Sequence, residues 1–354
     1  MDVAVIGGGV IGLASALRLA QAGARVAVVE CGEMGQEASW AAAGILGAQC
    51  EADVPGPMLD LCLRSRALYP ALAGELLELT GIDVGFRACG ALLVAHDEAQ
   101  AVELRRAHAW QAKLGLAAEL LTSIPEHPGA VQALLLPEDG QVDNRQLTRA
   151  LSAAIDKLGV RSYRARAARL LLPGGRFAGV ETDSGAVAAD RCVVAAGAWS
   201  GEIGGSAVQG VRPVKGQMIA FDPSPVSWTR VVFGGGGYAV PRGGRLLIGA
   251  TVEDAGFDRQ PTEEGLRALR EVAGRLSPEL ARATPVDHWA GLRPGTKDGL
   301  PILGETARGV LVATGHFRNG ILLAPVTAEA VVDLTVGRSR EDLHPFAPGR
   351  SSLE

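Results

Sequence analysis

The chain has 354 residues, 47% hydrophobic and 21% charged, enough to bury a sizeable core across two domains. Its net charge of −5 excludes the basic footprint of a nucleic-acid binder and the polybasic patch of a membrane anchor. Five cysteines without C-x-x-C spacing and six unclustered histidines argue against a disulfide framework or a metal site, and fit a reducing cytoplasm.

Residues 2–6 (DVAVI) read as a short buried strand, followed at once by Gly7, Gly8, Gly9, Val10, Ile11 and Gly12 in G-x-G-x-x-G spacing. A helix to about residue 22 and a second strand over 25–29, ending in Glu30, complete a βαβ dinucleotide fingerprint. Gly7 suits the tight turn, Gly9 the approach of a pyrophosphate and Gly12 the packing of helix on strand. The helix start offers free amides and a positive dipole end to phosphates, and the Glu30 carboxylate suits ribose hydroxyls. Glycines and Arg18 interrupt this apolar stretch, so it reads as neither a signal peptide nor a membrane span.

Further along, the period predicts a helix over 58–79, with Pro70 marking a kink or break. Residues 81–96 turn β-like, 97–114 form a charged amphipathic helix, and 115–140 read as irregular and proline-dotted. A helix over 144–158, a strand near 160–164, a hairpin around 168–188 and a strand over 191–196 follow. From 208 to 293 strands alternate with glycine turns, with one helix at 262–275. A strand at 310–313, a glycine-rich turn and a helix over about 320–336 end the pattern. The fold class is therefore α/β: a Rossmann-like nucleotide domain interleaved with a β-rich α+β domain.

Four further segments stand out. Residues 38–47 (ASWAAAGILG) are small enough for backbone to approach a flat or anionic ligand, or to pack a helix start tightly. Residues 234–242 (GGGGYAVPR) place Tyr238 after a glycine run, where it is a hydrogen-bond donor or a core tyrosine. In residues 289–301, Arg293 sits among glycine and proline, a fork for a carboxylate or a solvated side chain. Residues 315–322 (GHFRNGIL) lie between a strand and a helix, where amides face a cofactor; His316 alone reads as structural.

Residues 289–298 (WAGLRPGTKD), 315–325 (GHFRNGILLAP), 41–48 (AAAGILGA) and 238–242 (YAVPR) together resemble the D-amino-acid oxidase superfamily of FAD oxidoreductases. The likeness is greatest to its glycine-oxidising branch, the one tied to thiamine biosynthesis, and spans nearly the whole chain. It implies an FAD-binding domain of residues 1–80, 142–207 and 294–354, with 81–141 and 208–293 binding substrate. FAD would be held by Gly7, Gly9, Val10, Ile11 and Gly12 at the phosphate turn and by Glu30 and Cys31 at the ribose. Ala38, Ser39, Ala43, Gly44 and Ile45 would follow the pyrophosphate and flavin. Ala168, Gly197 and the run His316, Phe317, Arg318, Asn319, Gly320, Ile321 and Leu322 would surround the flavin ring. Arg293 would bind the substrate carboxylate, with Tyr238 as second donor and Arg318 near the flavin edge.

The implied reaction is oxidative deamination of glycine, and of small amines or D-amino acids such as sarcosine, D-alanine and D-proline. Hydride passes from Cα to flavin N5, giving the imine and then glyoxylate and ammonia, with O2 reduced to H2O2. A D-amino-acid oxidase or dehydrogenase, or a sarcosine oxidase, is the alternative on the same scaffold. No cysteine follows Cys192, so FAD is expected to be non-covalent. The resemblance further implies a homotetramer and a hand-off of the imine to thiazole synthase. The run Gly234–Gly237 is richer in glycine than the resemblance leads one to expect, which points to a wider pocket or a looser lid.

Overall fold

A computed structural model of the protein describes residues 1–127, 129–205 and 208–353. Strand β1 (Asp2–Ile6), helix α1 (Val10–Gln21) and strand β2 (Arg25–Glu30) form the expected βαβ unit, with β1 and β2 parallel and paired in register from Asp2↔Arg25 to Ile6↔Val29. The sheet they start is six-stranded. Across it run Ile302–Ala307, Val310–Thr314, Arg191–Val194, β1, β2 and Arg161–Arg164, all parallel except the edge strand Ile302–Ala307.

Both faces of this sheet are buried, and the two-residue period of a strand assigns each side chain to one of them. Val3, Val5, Val193, Leu311 and Ala313 join the core under α1 and the helices Pro57–Thr80, Asn144–Lys157 and Gly320–Thr335. Ala4, Ile6, Cys192, Val194, Val310 and Val312 face the other way, onto Leu170, Phe177 and Val180. The latter group belongs to the region of a three-stranded antiparallel sheet, Ala167–Leu171, Gly179–Thr182 and Gly185–Ala188.

A second, eight-stranded sheet takes all its strands from residues 91–136 and 212–295. One face carries Ile219, Phe221, Ala239 and Ile248 against Leu269, Val272 and Leu276 of the helix Glu263–Leu276. The other carries Met218, Ala220, Val240 and Trp289, and meets Ala41 and Ala43 from the segment after β2.

Three local expectations change. Residues 115–140 are not irregular throughout: Glu119–Leu121 and Gln132–Leu136 pair as the outer strands of the large sheet. Pro70 does not end its helix, which runs unbroken over Pro57–Thr80. Its packing onto the helix Gly320–Thr335 overrides the proline: Tyr69 is fully buried and donates to the Ile321 carbonyl, and Ser65 Oγ donates to the Leu322 carbonyl at 2.6 Å. The glycine run 234–237 is a two-residue hairpin turn, with Gly235 and Gly236 at φ of 59° and 85°, the mirror-image turn that suits strand twist. No residue of 234–237 reaches the cavity described below.

Among the described residues no helix is long and apolar enough to cross a membrane, and no group of three or more His, Cys, Asp or Glu is placed to hold a metal ion.

Candidate active site

An elongated cavity of about 780 Å³ runs from the carboxyl ends of the parallel strands to the inner face of the eight-stranded sheet. That crevice is where open α/β sheets bind ligands.

At the phosphate end, Gly7 takes φ of 110°, and a Cβ there would lie 2.3 Å from the Ala195 carbonyl oxygen. Gly7, Gly9, Val10 and Ile11 form the wall. Gly12 does not line it; a Cβ at Gly12 would lie 1.9 Å from the Gly7 carbonyl, so its part is to let α1 close on β1. The N-cap of α1 is Gly9, which has no side chain to occupy the helix start. The Val10 amide donates to Ser39 Oγ at 2.9 Å, which ties residues 38–47 to the turn. Glu30 accepts from the amides of Gly8 at 2.7 Å and Gly32 at 2.8 Å, so its carboxylate stands beside Cys31 on the cavity wall.

Residues 38–47 form one helical turn, Ala38–Ala41, and the strand Ile45–Leu46, with Ala38, Ser39, Ala43, Gly44 and Ile45 all on the wall. Four side chains hold this segment by its carbonyls, among them Arg145, whose Nε donates to Trp40 at 3.4 Å. Asn144 donates to Ser39 at 2.7 Å and to Trp40 at 3.0 Å; Trp289 donates to Ala41 at 3.0 Å. Arg242 donates to Ala43, and at 2.9 Å to Val142. Burial draws the Arg242 pKa down to about 10, with Asp143 opposing the shift. This clamp was not read from the sequence, although Arg242 lies within the quoted YAVPR string.

Ala168 and Gly197 line the opposite wall, with Trp199, Phe257 and Arg259. The turn before the helix Gly320–Thr335 supplies His316, Phe317 and Arg318, and the helix start supplies Gly320 and Ile321, whereas Asn319 and Leu322 do not line the cavity. Phe317 has φ of 47°, the one positive value among the described non-glycine residues. His316 is buried, its Nε2 is 3.0 Å from Thr327 Oγ1, and burial pushes its pKa down to about 3. It is therefore a neutral structural imidazole.

The far end is built on the large sheet. Register sets Met218 opposite Trp289 and Gly249, Gly216 opposite Gly291, and Tyr238 opposite Gly249. The glycines form a floor. A Cβ on Gly216 would lie 2.0 Å from Arg293 Nη1, and one on Gly249 would lie 2.6 Å from the Tyr238 hydroxyl, so both side chains lie flat across missing side chains. Arg293 Nη1 donates to the Thr251 carbonyl at 3.1 Å, and the charge of the guanidinium acts on the Tyr238 hydroxyl. Tyr238 in turn points at Met218 Sδ, 3.9 Å away. Burial raises the Tyr238 pKa, with Arg293 opposing, so the hydroxyl stays protonated and able to donate. Two cationic or neutral donors thus converge where a small carboxylate fits. Arg318 is exposed at the rim. Sequence reading missed Gly216 and Glu51, which also line this end, because each is a lone residue without a motif.

The residues present fit a dinucleotide cofactor: a helix start with glycine as its N-cap, a tethered acid, and a glycine and alanine cradle along the cavity. The sequence model of the FAD dependent oxidoreductase family (DAO) matches residues 2–334. A glycine oxidase of Geobacillus kaustophilus is 40% identical over 361 residues, covering 98% of this chain and 96% of that protein. A bifunctional protein ThiO/ThiG of Nostoc sp. is 38% identical over 97% of this chain and 54% of its own length. The crystal structure of glycine oxidase from Geobacillus kaustophilus superposes with a TM-score of 0.93, covering 99% of this chain and 98% of that one. The chain belongs to the FAD-dependent oxidoreductases of the DAO family.

Proposed function

We propose that this enzyme oxidises glycine, and with it small amines and D-amino acids, to the imine. Water then yields glyoxylate or the 2-oxo acid and ammonia, and O2 leaves as H2O2. The observation that carries this reading is the placing of Arg293 and Tyr238 on one cavity wall over the glycine floor of Gly216 and Gly249. Arg293 holds the substrate carboxylate as a charge-assisted fork, and Tyr238 adds a neutral donor. Together they fix the orientation of Cα, which supplies the proximity term of catalysis. Bound FAD supplies the hydride acceptor. Residues 1–80, 142–207 and 294–354 are the cofactor-binding part in this reading, and 81–141 and 208–293 the substrate-binding part. The hand-off of the imine to a thiazole synthase is supported by relatives in which a stretch like this chain occupies 54% of a bifunctional protein.

The test is an anaerobic visible spectrum of the FAD-loaded protein. Flavin bands that bleach with glycine and return with air are expected. Bands that bleach only with D-alanine, D-proline or sarcosine would move the substrate, and a protein unable to take up FAD would overturn the reading. Acid precipitation is expected to release all the flavin, as a non-covalent cofactor requires.

A further inference from the structure

Four acidic side chains line the cavity: Glu30, Glu37, Glu51 and Glu202. Glu30 is tied by two backbone amides, Glu37 pairs with Arg259, and Glu202 is exposed. Glu51 differs. Its Oε2 is shielded from solvent and has no hydrogen-bond partner. A buried carboxylate oxygen left without a donor is costly, and such a group in a cavity calls for a ligand that supplies one.

The backbone that carries Glu51 is firmly held. Asp139, fully buried, accepts from the amide of Gln49 and, at 2.8 Å, from that of Cys50; Arg66 Nη1 donates to Asp139 at 2.6 Å. The fold thus anchors the chain up to Glu51 and leaves its carboxyl unpaired. Charged and titratable groups from several elements act on it or feel it: Arg293 and Tyr238 from the large sheet, Arg318 from the turn before the last helix, Cys62 from the helix Pro57–Thr80, Asp139, and Asp53 from its own loop. Burial is the largest influence and raises the Glu51 pKa to about 7, with the two arginines opposing.

Resting on the proposed oxidation of an amino acid, we propose that Glu51 receives the substrate's ammonium group and accepts its proton. Arg293 and Tyr238 neutralise only one end of a zwitterion; the other end needs an anion. An ammonium has no lone pair to support loss of hydride from Cα, so the proton has to leave nitrogen first. The N–H proton moves to the Glu51 carboxylate, and the electron pair of that bond stays on nitrogen. The hydride then leaves Cα with its two electrons for the bound flavin, and the C=N bond of the imine forms. Glu51 returns its proton to water when product departs. A carboxyl poised near neutrality suits both halves of this exchange.

The test compares FAD-loaded wild type with Glu51→Gln and Glu51→Asp. Two readouts are taken: the pH profile of kcat/KM for glycine, and binding of acetate, a carboxylate without an amine, by perturbation of the flavin spectrum. The expected result for E51Q is a loss on the order of 10²-fold in kcat/KM at pH 7. Its profile moves to the alkaline range where the free amine deprotonates by itself, and acetate binding changes by less than about twofold. E51D keeps the wild-type limb with reduced height. An unchanged pH profile, or equal losses for acetate and glycine, would overturn the proposal. Failure of the glycine reading has a separate mark: wild type ignores glycine and bleaches with another amino acid, on which the same comparison is then made.

Discussion

The close contact of Gly216 with Arg293 separates function from stability at one position. An added methyl would meet Arg293 Nη1 at 2.0 Å and the guanidinium carbon at 2.3 Å. The far end of a flexible side chain yields more readily than backbone, so Gly216→Ala is expected to fold, hold FAD and displace the guanidinium. The expected result is a rise in KM for glycine of at least about tenfold, with Tm within a few degrees of wild type. Arg293→Ala removes the fork itself, and kcat/KM is expected to fall by on the order of 10²–10³-fold with full flavin content. Arg293→Lys restores charge without the planar fork and is expected to recover little of it. Glycine kinetics unchanged in R293A would remove Arg293 from the site. Arg293 and Tyr238 were legible because they stand in distinctive strings. Gly216 was not, because its meaning comes from the register Val214↔Arg293 and Gly216↔Gly291, a pairing between strands about 75 residues apart that periodicity does not encode.

At the scale of elements, local signals were read well and long-range pairing poorly. The helix Asn144–Lys157 announces itself by an apolar stripe and by Asp143, which caps it through the Arg145 and Gln146 amides. The strands Glu119–Leu121 and Gln132–Leu136 are short and proline-flanked; they pair with each other, and the second gains its place in the sheet from Ala91–Ala95. The connection 250–262 carried no motif at all, yet it crosses from the large sheet to the cofactor end of the cavity. Phe257 stacks on Trp199 with centroids 5.6 Å apart, Arg259 pairs with Glu37, and the buried Lys215 holds Asp258 at 3.2 Å. Phe257, Arg259, Trp199 and Glu37 all line the cavity. The ion pair is half exposed and worth roughly 0–1 kcal/mol, and the stack about 0.5–1.5 kcal/mol. Arg259→Ala is therefore expected to speed FAD dissociation only a few-fold, and Phe257→Ala by up to about tenfold, with glycine KM unchanged. Stopped-flow flavin fluorescence on dilution of the holoenzyme measures this. Dissociation rates equal to wild type in both variants would show that the connection does not close the cofactor end.

For the whole molecule, His316 and Asp298 lose stability to acid in separate pH windows. His316 lies between the strand Val310–Thr314 and the helix Gly320–Thr335, and burial lowers its pKa from 6.5 to about 3. Between those values the unfolded chain binds a proton that the folded chain refuses, so stability falls as pH drops from 6.5 towards 3. One proton gives a slope of about 1.4 kcal/mol per pH unit. Asp298 acts lower. Burial works to raise its pKa, but Arg350 holds the carboxylate through two bonds of 2.7 and 2.9 Å and, with Ser352, keeps it far below 3.8. Its contribution is present above 3.8 and is lost as pH falls from there towards the folded value. Arg350 further donates to the Pro301 and Leu300 carbonyls, so this pair fastens the C-terminal segment beside the edge strand Ile302–Ala307. Glu51 opposes the loss at His316 between pH 7 and 4.5, because burial raises its pKa to about 7 and the folded chain takes up its proton first. The expected Tm profile of the FAD-saturated protein is therefore shallow between 6.5 and 4.5 and steep below. His316→Gln is expected to turn the shallow stretch into a rise of Tm as pH falls towards 4.5, while keeping the steep lower limb. Arg350→Ala is expected to lower Tm at pH 7 and to weaken the lower limb. A His316→Gln profile parallel to wild type would mean that the imidazole gains its proton without opening the fold, and would separate the packing of the last helix from acid sensitivity.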